Sequence, residues 1–266
     1  MQKAFDSVWH DGLIFKLKKA GLPGFLVRVV ASYLSGRTFR VRVDGTLSEE
    51  HPLTAGVPQG GVLSPGLYNF YSSDVPADPG TITALYADDT AYLATSMSLS
   101  HAAVKLQRTL DLLPDWLSKW RLSVNAAKSQ ALAVSTRRSL PAPLKIGDCE
   151  IPWRNTAKYL GVTIDRRLNM GEQCRQAVAG ARVAAAQLRP LFAAPQVALN
   201  MRLALYKTYV RSRLTYAAPA WYQLLPVTRR KLLQRQQNRV LRRVVGAPRY
   251  VHNATIARDL RVESVE

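Results

Sequence analysis

The chain has little of several things, and each shortage closes off a class of protein. Only two of its 266 residues are cysteines, Cys149 and Cys174, 25 positions apart with no second pair. That spacing supports neither a disulfide framework nor a cysteine-type zinc site. The four histidines, His10, His51, His101 and His252, show no metal-ligand spacing either. Long hydrophobic runs are missing: Leu191 to Leu199 and Tyr216 to Tyr222 are uncharged and mostly apolar, but far short of a membrane span. The N-terminus lacks the basic, apolar, small-residue order of a signal peptide. A soluble, intracellular protein without a membrane partner is expected.

The most informative shortage is of acidic residues in one part of the chain. Residues 1 to 100 hold 8 Lys/Arg against 9 Asp/Glu, whereas residues 101 to 266 hold 29 against 9, which accounts for the net charge of +19. Between Glu172 and Asp259 there is no carboxylate, while 16 Lys and Arg accumulate there. Such a segment cannot be a self-paired ionic surface, because it carries no partners of its own. A polyanion is its natural counterion. The preference for arginine, with Tyr206, Tyr209, Tyr216, Trp221 and Tyr222 interleaved, favours nucleic acid over an acidic protein.

What is present reads as a mixed layout. "HDGLIFKLKKAGL" and "PGFLVRVVASYLSGR" space apolar residues as helices do, with Gly21 and Pro23 between them. "TFRVRVDGT" alternates towards an Asp44-Gly45 turn and predicts a hairpin returning to Leu53. "TAGVPQGGVLSP" is a Gly/Pro-rich loop leading into a helix with an early proline. Thr81–Leu85 against Thr90–Thr95 predicts a second hairpin, and Ser98–Trp120 a helix kinked at Pro114. "SQALAVST" and "AKYLGVTID" each read as one strand, and "LKIGDCEI" as a short hairpin. Helices are expected over Gly171–Leu191, Pro195–Arg213 and Val227–Val245. The pattern predicts an α+β layer over 1–167, an antiparallel sheet with helices, followed by a helical basic region over 168–266.

Two adjacent aspartates, Asp88 and Asp89, sit in the otherwise apolar "TALYADDTAYLA". On a straight strand they would point to opposite faces, but a tight turn can present both to one cavity. Two carboxylates so close repel unless a cation neutralises them. Mg²⁺ is held by one or two carboxylates plus substrate phosphates, and a two-ion site clamps the attacking and leaving oxygens of a phosphoryl transfer. A solvated polar turn is the plainer reading of an Asp-Asp pair taken alone.

The surroundings point further. "YADD" lies 30 positions after the start of "GVPQGG", and the two look like motifs C and B of reverse transcriptases. "KAFDSVWHDGLIFKL" resembles the tail of motif A, "LSVNAAKSQALAVS" motif D, and "KYLGVTID" motif E, the primer grip. With "RQQNRVLRRVVGAPRYV", the series is similar to non-LTR retrotransposon polymerases of the jockey or LINE-like kind, in the right order and over nearly the whole chain.

That resemblance implies an RNA-directed DNA polymerase of right-hand form, a palm followed by a thumb. Asp88 and Asp89 would be the catalytic metal ligands of a site holding two Mg²⁺ ions. Ala4 and Phe5 would lie at the incoming dNTP, the Phe5 ring acting as a steric gate against a 2′-hydroxyl. Gln59 and Gly60 would contact the nucleotide sugar and the templating pair, and Lys128 the leaving pyrophosphate. Tyr159, Leu160 and Gly161 would form the primer-grip turn. Arg202, Lys207, Arg211, Arg213, Arg235, Arg239, Arg242 and Arg243 would track an RNA template with its DNA primer, or an RNA–DNA duplex, by the phosphates. In the family the leading Asp of motif A stands five positions before the aromatic gate, and five before Phe5 falls one residue ahead of Met1. The chain as given is therefore expected to bind nucleic acid but extend a primer feebly. The alternative is a catalytically inactive nucleic-acid-binding remnant of such an element. An RNA-dependent RNA polymerase palm is disfavoured, because those enzymes carry Gly-Asp-Asp and lack the aromatic gate.

Overall fold

A computed structural model describes residues 4–135 and 139–265. Lys3, which opens the motif A segment, and Thr136, which ends the "SQALAVST" segment, lie outside the described residues. The chain divides into two compact units, Met1–Ala131 with Arg138–Trp153, and Leu132–Arg137 with Arg154–Glu266. Each has its own apolar core.

The first unit opens with a 3-10 turn, Ala4–Asp6, and then α1 (His10–Lys19) and α2 (Gly24–Leu34). The hairpin expected around Asp44-Gly45 is present as two short ladders, β1 (Thr38–Phe39) with β4 (His51–Pro52) and β2 (Arg42–Val43) with β3 (Thr46–Leu47). Helix α3 (Ser64–Ser72) carries its proline in the first turn, where a missing N–H costs nothing. β5 (Thr81–Tyr86) pairs antiparallel with β6 (Asp89–Ala94) in the register Thr81↔Ala94 to Tyr86↔Asp89.

The helix expected over Ser98–Trp120 is two helices, α4 (Leu99–Asp111) and α5 (Leu113–Lys119), because Pro114 lacks the N–H that would carry the ladder through. β7 (Ala131–Leu132) is all of "SQALAVST" that forms strand among the described residues. β8 (Leu144–Ile146) and β9 (Cys149–Ile151) make the hairpin over Gly147-Asp148. Val8, Leu13, Leu17, Tyr68, Tyr71, Leu117 and Trp120 form the centre of this core. Within it Lys16 is buried, its ammonium 3.8 Å from the Trp120 ring centroid and bonded to the Tyr71 carbonyl and the Asp74 carboxylate.

After β10 (Trp153–Arg154), "AKYLGVTID" folds as a hairpin rather than one strand: β11 (Thr156–Tyr159) pairs with β12 (Val162–Asp165). Leu160 and Gly161, at φ 45° and 80°, turn the chain in two residues. Two left-handed residues match the twist of the flanking strands, and apolar residues on both sides hide the reversal in the sequence. The hairpin packs with the helices that follow. These are α6 (Gly171–Gln187), α7 (Arg189–Ala193), α8 (Leu199–Leu205), a π-helical stretch Tyr206–Arg211, α9 (Ser212–Thr215), α10 (Ala218–Trp221), α11 (Val227–Val245) and α12 (Asn253–Asp259).

The two helices expected before α11 are thus each divided. The first breaks at Leu188, before a segment whose second residue is Pro190; the second starts at Leu199 and widens into the π-helical stretch. Helix α11 has the expected limits, since Pro226 starts it and Gly246, at φ 64°, ends it in the left-handed conformation glycine allows. Its buried face, Leu233, Gln237, Val240, Leu241 and Val244, meets a stripe of Ala177, Ala181, Ala184 and Ala185 on α6, where small side chains let the helices approach. The described strands come as two-stranded ladders, antiparallel in the five hairpin and ladder pairs β1–β4, β2–β3, β5–β6, β8–β9 and β11–β12, so the fold is α+β with small sheets.

Candidate active site and nucleic-acid interface

The tandem aspartates stand where β5 turns into β6. Tyr86 pairs with Asp89, so Ala87 and Asp88 form a two-residue turn, with Ala87 left-handed at φ 50°. An alanine there is strained by about 1 kcal/mol or more, and the turn exposes both carboxylates. Behind it lies Tyr68 of α3, whose hydroxyl is pushed up to about 12 by burial and then by the negative charges of Asp88 and Tyr71. The Tyr68 ring packs on Phe5, ring centroids 5.1 Å apart at 38°. One buried tyrosine thus packs on the expected gate and senses the charge of the expected metal ligand. Sequence reasoning missed Tyr68; its only signal was the three-residue spacing from Tyr71, which marks a buried helix face.

The segment around Phe5 is tied to the Gly/Pro-rich loop by backbone. The Val57 N–H donates to the Phe5 carbonyl and the Gly56 N–H to the Val8 carbonyl, both at 2.8 Å. A side chain at Gly56, where φ is 92°, would sit 3.0 Å from the Asp6 carbonyl oxygen, so this close approach requires glycine. Gln59, exposed on the loop, donates its amide N–H to the Asp6 carboxylate at 2.9 Å. Asp6 thus serves the glutamine. Gly60 is exposed at φ 84° with open space above it. Ala4 begins the 3-10 turn that carries Phe5. Lys128 ends a 3-10 turn, Ala126–Lys128, capped by the Asn125 side chain, and is exposed. A cleft of about 450 Å³ lined by Ser7, Trp9, Asp11, Thr54, Ala55 and Arg121 borders the same loop, and neither aspartate lines it.

Exposed, hard oxygen donors on a tight turn suit Mg²⁺. Among the described residues no three His, Cys, Asp or Glu side chains gather to cage a metal. Asp88 and Asp89 fit an ion that takes its remaining ligands from water and substrate phosphates.

In the second unit Tyr159, Leu160 and Gly161 form the end of the β11–β12 hairpin. Its second strand is pinned to α6 close to the turn, the Thr163 N–H donating to Gln173 at 2.8 Å and the Thr163 hydroxyl bonding Gln176 at 2.9 Å. The cations fall into two groups. Arg202 donates to the carbonyls of Val197, Ala194 and Val244; Arg211 to Gln237 and to the carbonyls of Glu263 and Ser264; Arg242 to Asn253 and to the carbonyls of Pro248 and Val251. These three hold the unit together.

Lys207, Arg213, Arg235, Arg239 and Arg243 are exposed, although Arg213 lies over the Tyr209 ring at 4.5 Å and donates to the Tyr209 carbonyl at 3.1 Å. Lys231, counted in the basic segment but not among the residues expected to track the duplex, is exposed four residues before Arg235, and its signal was that helical spacing. Carboxylates of this unit pair only locally among the described residues, Glu172 with Arg175 and Asp259 with Arg258. No described helix is long and apolar enough to cross a membrane.

A mixed helix and strand chain with small sheets and paired carboxylates on a hairpin turn is consistent with the α+β fold of a reverse transcriptase. Residues 1–164 match the family model for reverse transcriptase (RNA-dependent DNA polymerase), and the chain belongs to that family. It is 34% identical over 271 residues to the RNA-directed DNA polymerase from mobile element jockey of Drosophila melanogaster, covering 98% of this chain and 29% of that protein. It is 36% identical over 277 residues to the probable RNA-directed DNA polymerase from transposon BS of the same species, covering all of this chain and 30% of the relative. The chain thus spans under a third of the length of these relatives.

Proposed function

We propose that the chain is the palm and thumb portion of an RNA-directed DNA polymerase that transfers nucleotides onto a primer 3′-hydroxyl. The observation that carries this reading is the pair Asp88 and Asp89 at the β5–β6 turn in a chain whose residues 1–164 match the reverse transcriptase family, with Phe5 packed on Tyr68 and Gln59 oriented by Asp6. Asp88 and Asp89 would hold Mg²⁺, two ions in the complete site, which when bound neutralises phosphate charge and polarises the reacting oxygens.

The rest falls to the protein's own groups. Tyr68, its hydroxyl pushed up to about 12 chiefly by burial, gives the Phe5 ring a neutral aromatic surface to pack on. Asp6 takes the amide N–H of Gln59, leaving the glutamine carbonyl to accept from the substrate. Phe5, fixed by Tyr68, presents a flat ring to the sugar of an incoming dNTP. Gly60 leaves room for backbone to approach the templating pair, and Lys128 can meet the departing pyrophosphate. Template and primer would be RNA and DNA, held through phosphates by the exposed cations of the helical unit.

The test is Mg²⁺-dependent extension of a DNA primer on an RNA template by a protein carrying this chain. Asp88→Asn is expected to abolish extension, and Phe5→Val to raise ribonucleotide incorporation at unchanged primer affinity. Extension that survives Asp88→Asn overturns the assignment of the aspartates. Unchanged sugar selection in Phe5→Val overturns that of the gate.

A further inference from the structure

We propose that Tyr216 is a positioning residue for the primer 3′ end, acting by fixing the tip of the β11–β12 hairpin. This rests on reading that hairpin as the primer grip. Leu160 at φ 45° is in the left-handed region, which disfavours a branched side chain, so a contact from outside the turn helps to hold it there. Tyr216, in the bend between α9 and α10, supplies it in two ways. Its hydroxyl donates to the Leu160 carbonyl at 3.1 Å, and its ring lies so close to Gly161 that a Cβ there would be 2.9 Å from the nearest ring carbon. Tyr216 is itself anchored, its carbonyl accepting from the indole N–H of Trp221 at 2.8 Å, and Trp221 is fully buried.

The second strand and the turn itself are therefore held by different residues. Gln173 and Gln176 fix the strand Val162–Asp165 to α6, while the tip is tied by Tyr216 across 56 residues of sequence. Loosening the tip should leave the fold and the cationic helices intact and change only what the tip touches. The hydroxyl bond is the part that a single atom removes.

The experiment uses the full chain and two probes. One is a DNA primer recessed on a longer RNA template, with 2-aminopurine as the primer's terminal base. The other is a blunt RNA–DNA duplex of the same length with 2-aminopurine in the interior. For Tyr216→Phe we expect an unchanged melting midpoint and unchanged affinity for the blunt duplex. Affinity for the recessed duplex should fall roughly two- to tenfold, the worth of one neutral hydrogen bond, with loss of the terminal-base fluorescence change. Gly161→Ala, which pushes the tip off an intact tyrosine, should cause the same terminal loss. An unchanged terminal signal in Tyr216→Phe, or equal losses on both probes, overturns the proposal. Wild-type protein that binds duplex but gives no terminal signal overturns it alone; wild-type protein that binds neither probe overturns the nucleic-acid reading beneath it.

Discussion

Removing the exposed cations of α11 should change how nucleic-acid binding depends on salt, and the helix fixes by how much. Lys231, Arg235, Arg239 and Arg243 recur every four residues and are all exposed. Four residues advance about 6 Å along a helix and rotate about 40° past a full turn, so the charges form a gently winding stripe. Each phosphate neutralised on B-form DNA contributes about 0.9 to the slope of log affinity against log salt. Replacing all four with glutamine should therefore flatten the slope by about 3.6. Between 50 and 200 mM salt, four such contacts account for a change in affinity of about 150-fold.

The assay is fluorescence anisotropy on a duplex of fixed sequence over that range, with each single variant expected to remove about one quarter of the effect. Arg242→Gln is the control that makes the reasoning refutable. Its guanidinium already serves Asn253 and the carbonyls of Pro248 and Val251, so its loss should lower the melting midpoint by several degrees and leave the slope nearly unchanged. A quadruple variant with the wild-type slope, or an Arg242→Gln slope as flat as that of Arg243→Gln, would refute the division of the cations.

Burial and the charges of Asp88 and Tyr71 hold Tyr68 near 12, above the ordinary 10 of an unfolded tyrosine. Because the folded value is the higher one, this contribution to stability is complete below pH 10 and is lost as pH rises through about 12. Asp88→Asn removes the second cause, so the Tyr68 ionisation, isolated by ultraviolet titration against Tyr68→Phe, should move down; an unchanged curve places Asp88 away from Tyr68. Gly161→Ala combines a φ of 80° with a clash against the Tyr216 ring and should cost about 1–3 kcal/mol in denaturant unfolding. In a Tyr216→Ala background the cost should shrink, and equal costs in both backgrounds refute the contact. For Lys16, whose own pKa is lowered chiefly by burial, replacement by methionine keeps the packing against Tyr71, Trp116 and Trp120 and drops the buried charge. Lys16→Met should melt at or above the wild-type temperature while Lys16→Ala loses about 2–4 kcal/mol; equal losses would show that the ion pair to the half-exposed Asp74 is what matters.

Features set within a few residues were legible in the sequence. Pro226 and Gly246 bracket α11, Asp44-Gly45 turns the chain, and apolar alternation around Tyr86 to Asp89 produces a hairpin with the acidic pair at its tip. The hairpin at Leu160-Gly161 was legible only in part. Glycine marks the second turn position, but leucine at the first is an unusual choice for a left-handed residue, and the tyrosine that supports it comes 56 residues later. The same limit governs the cations. Arg242 and Arg243 are neighbours with identical chemistry, yet one faces carbonyls of the segment that follows the helix and the other faces water. Arg211 is drawn inward by Gln237 and by the Glu263 carbonyl, 52 residues away, groups whose need for a donor arises only once the core has formed. A count of arginines therefore overstates the surface available to a polyanion. Its strength depends on which guanidiniums the fold leaves without a carbonyl, and among the assigned residues of α11 those are Arg235, Arg239 and Arg243.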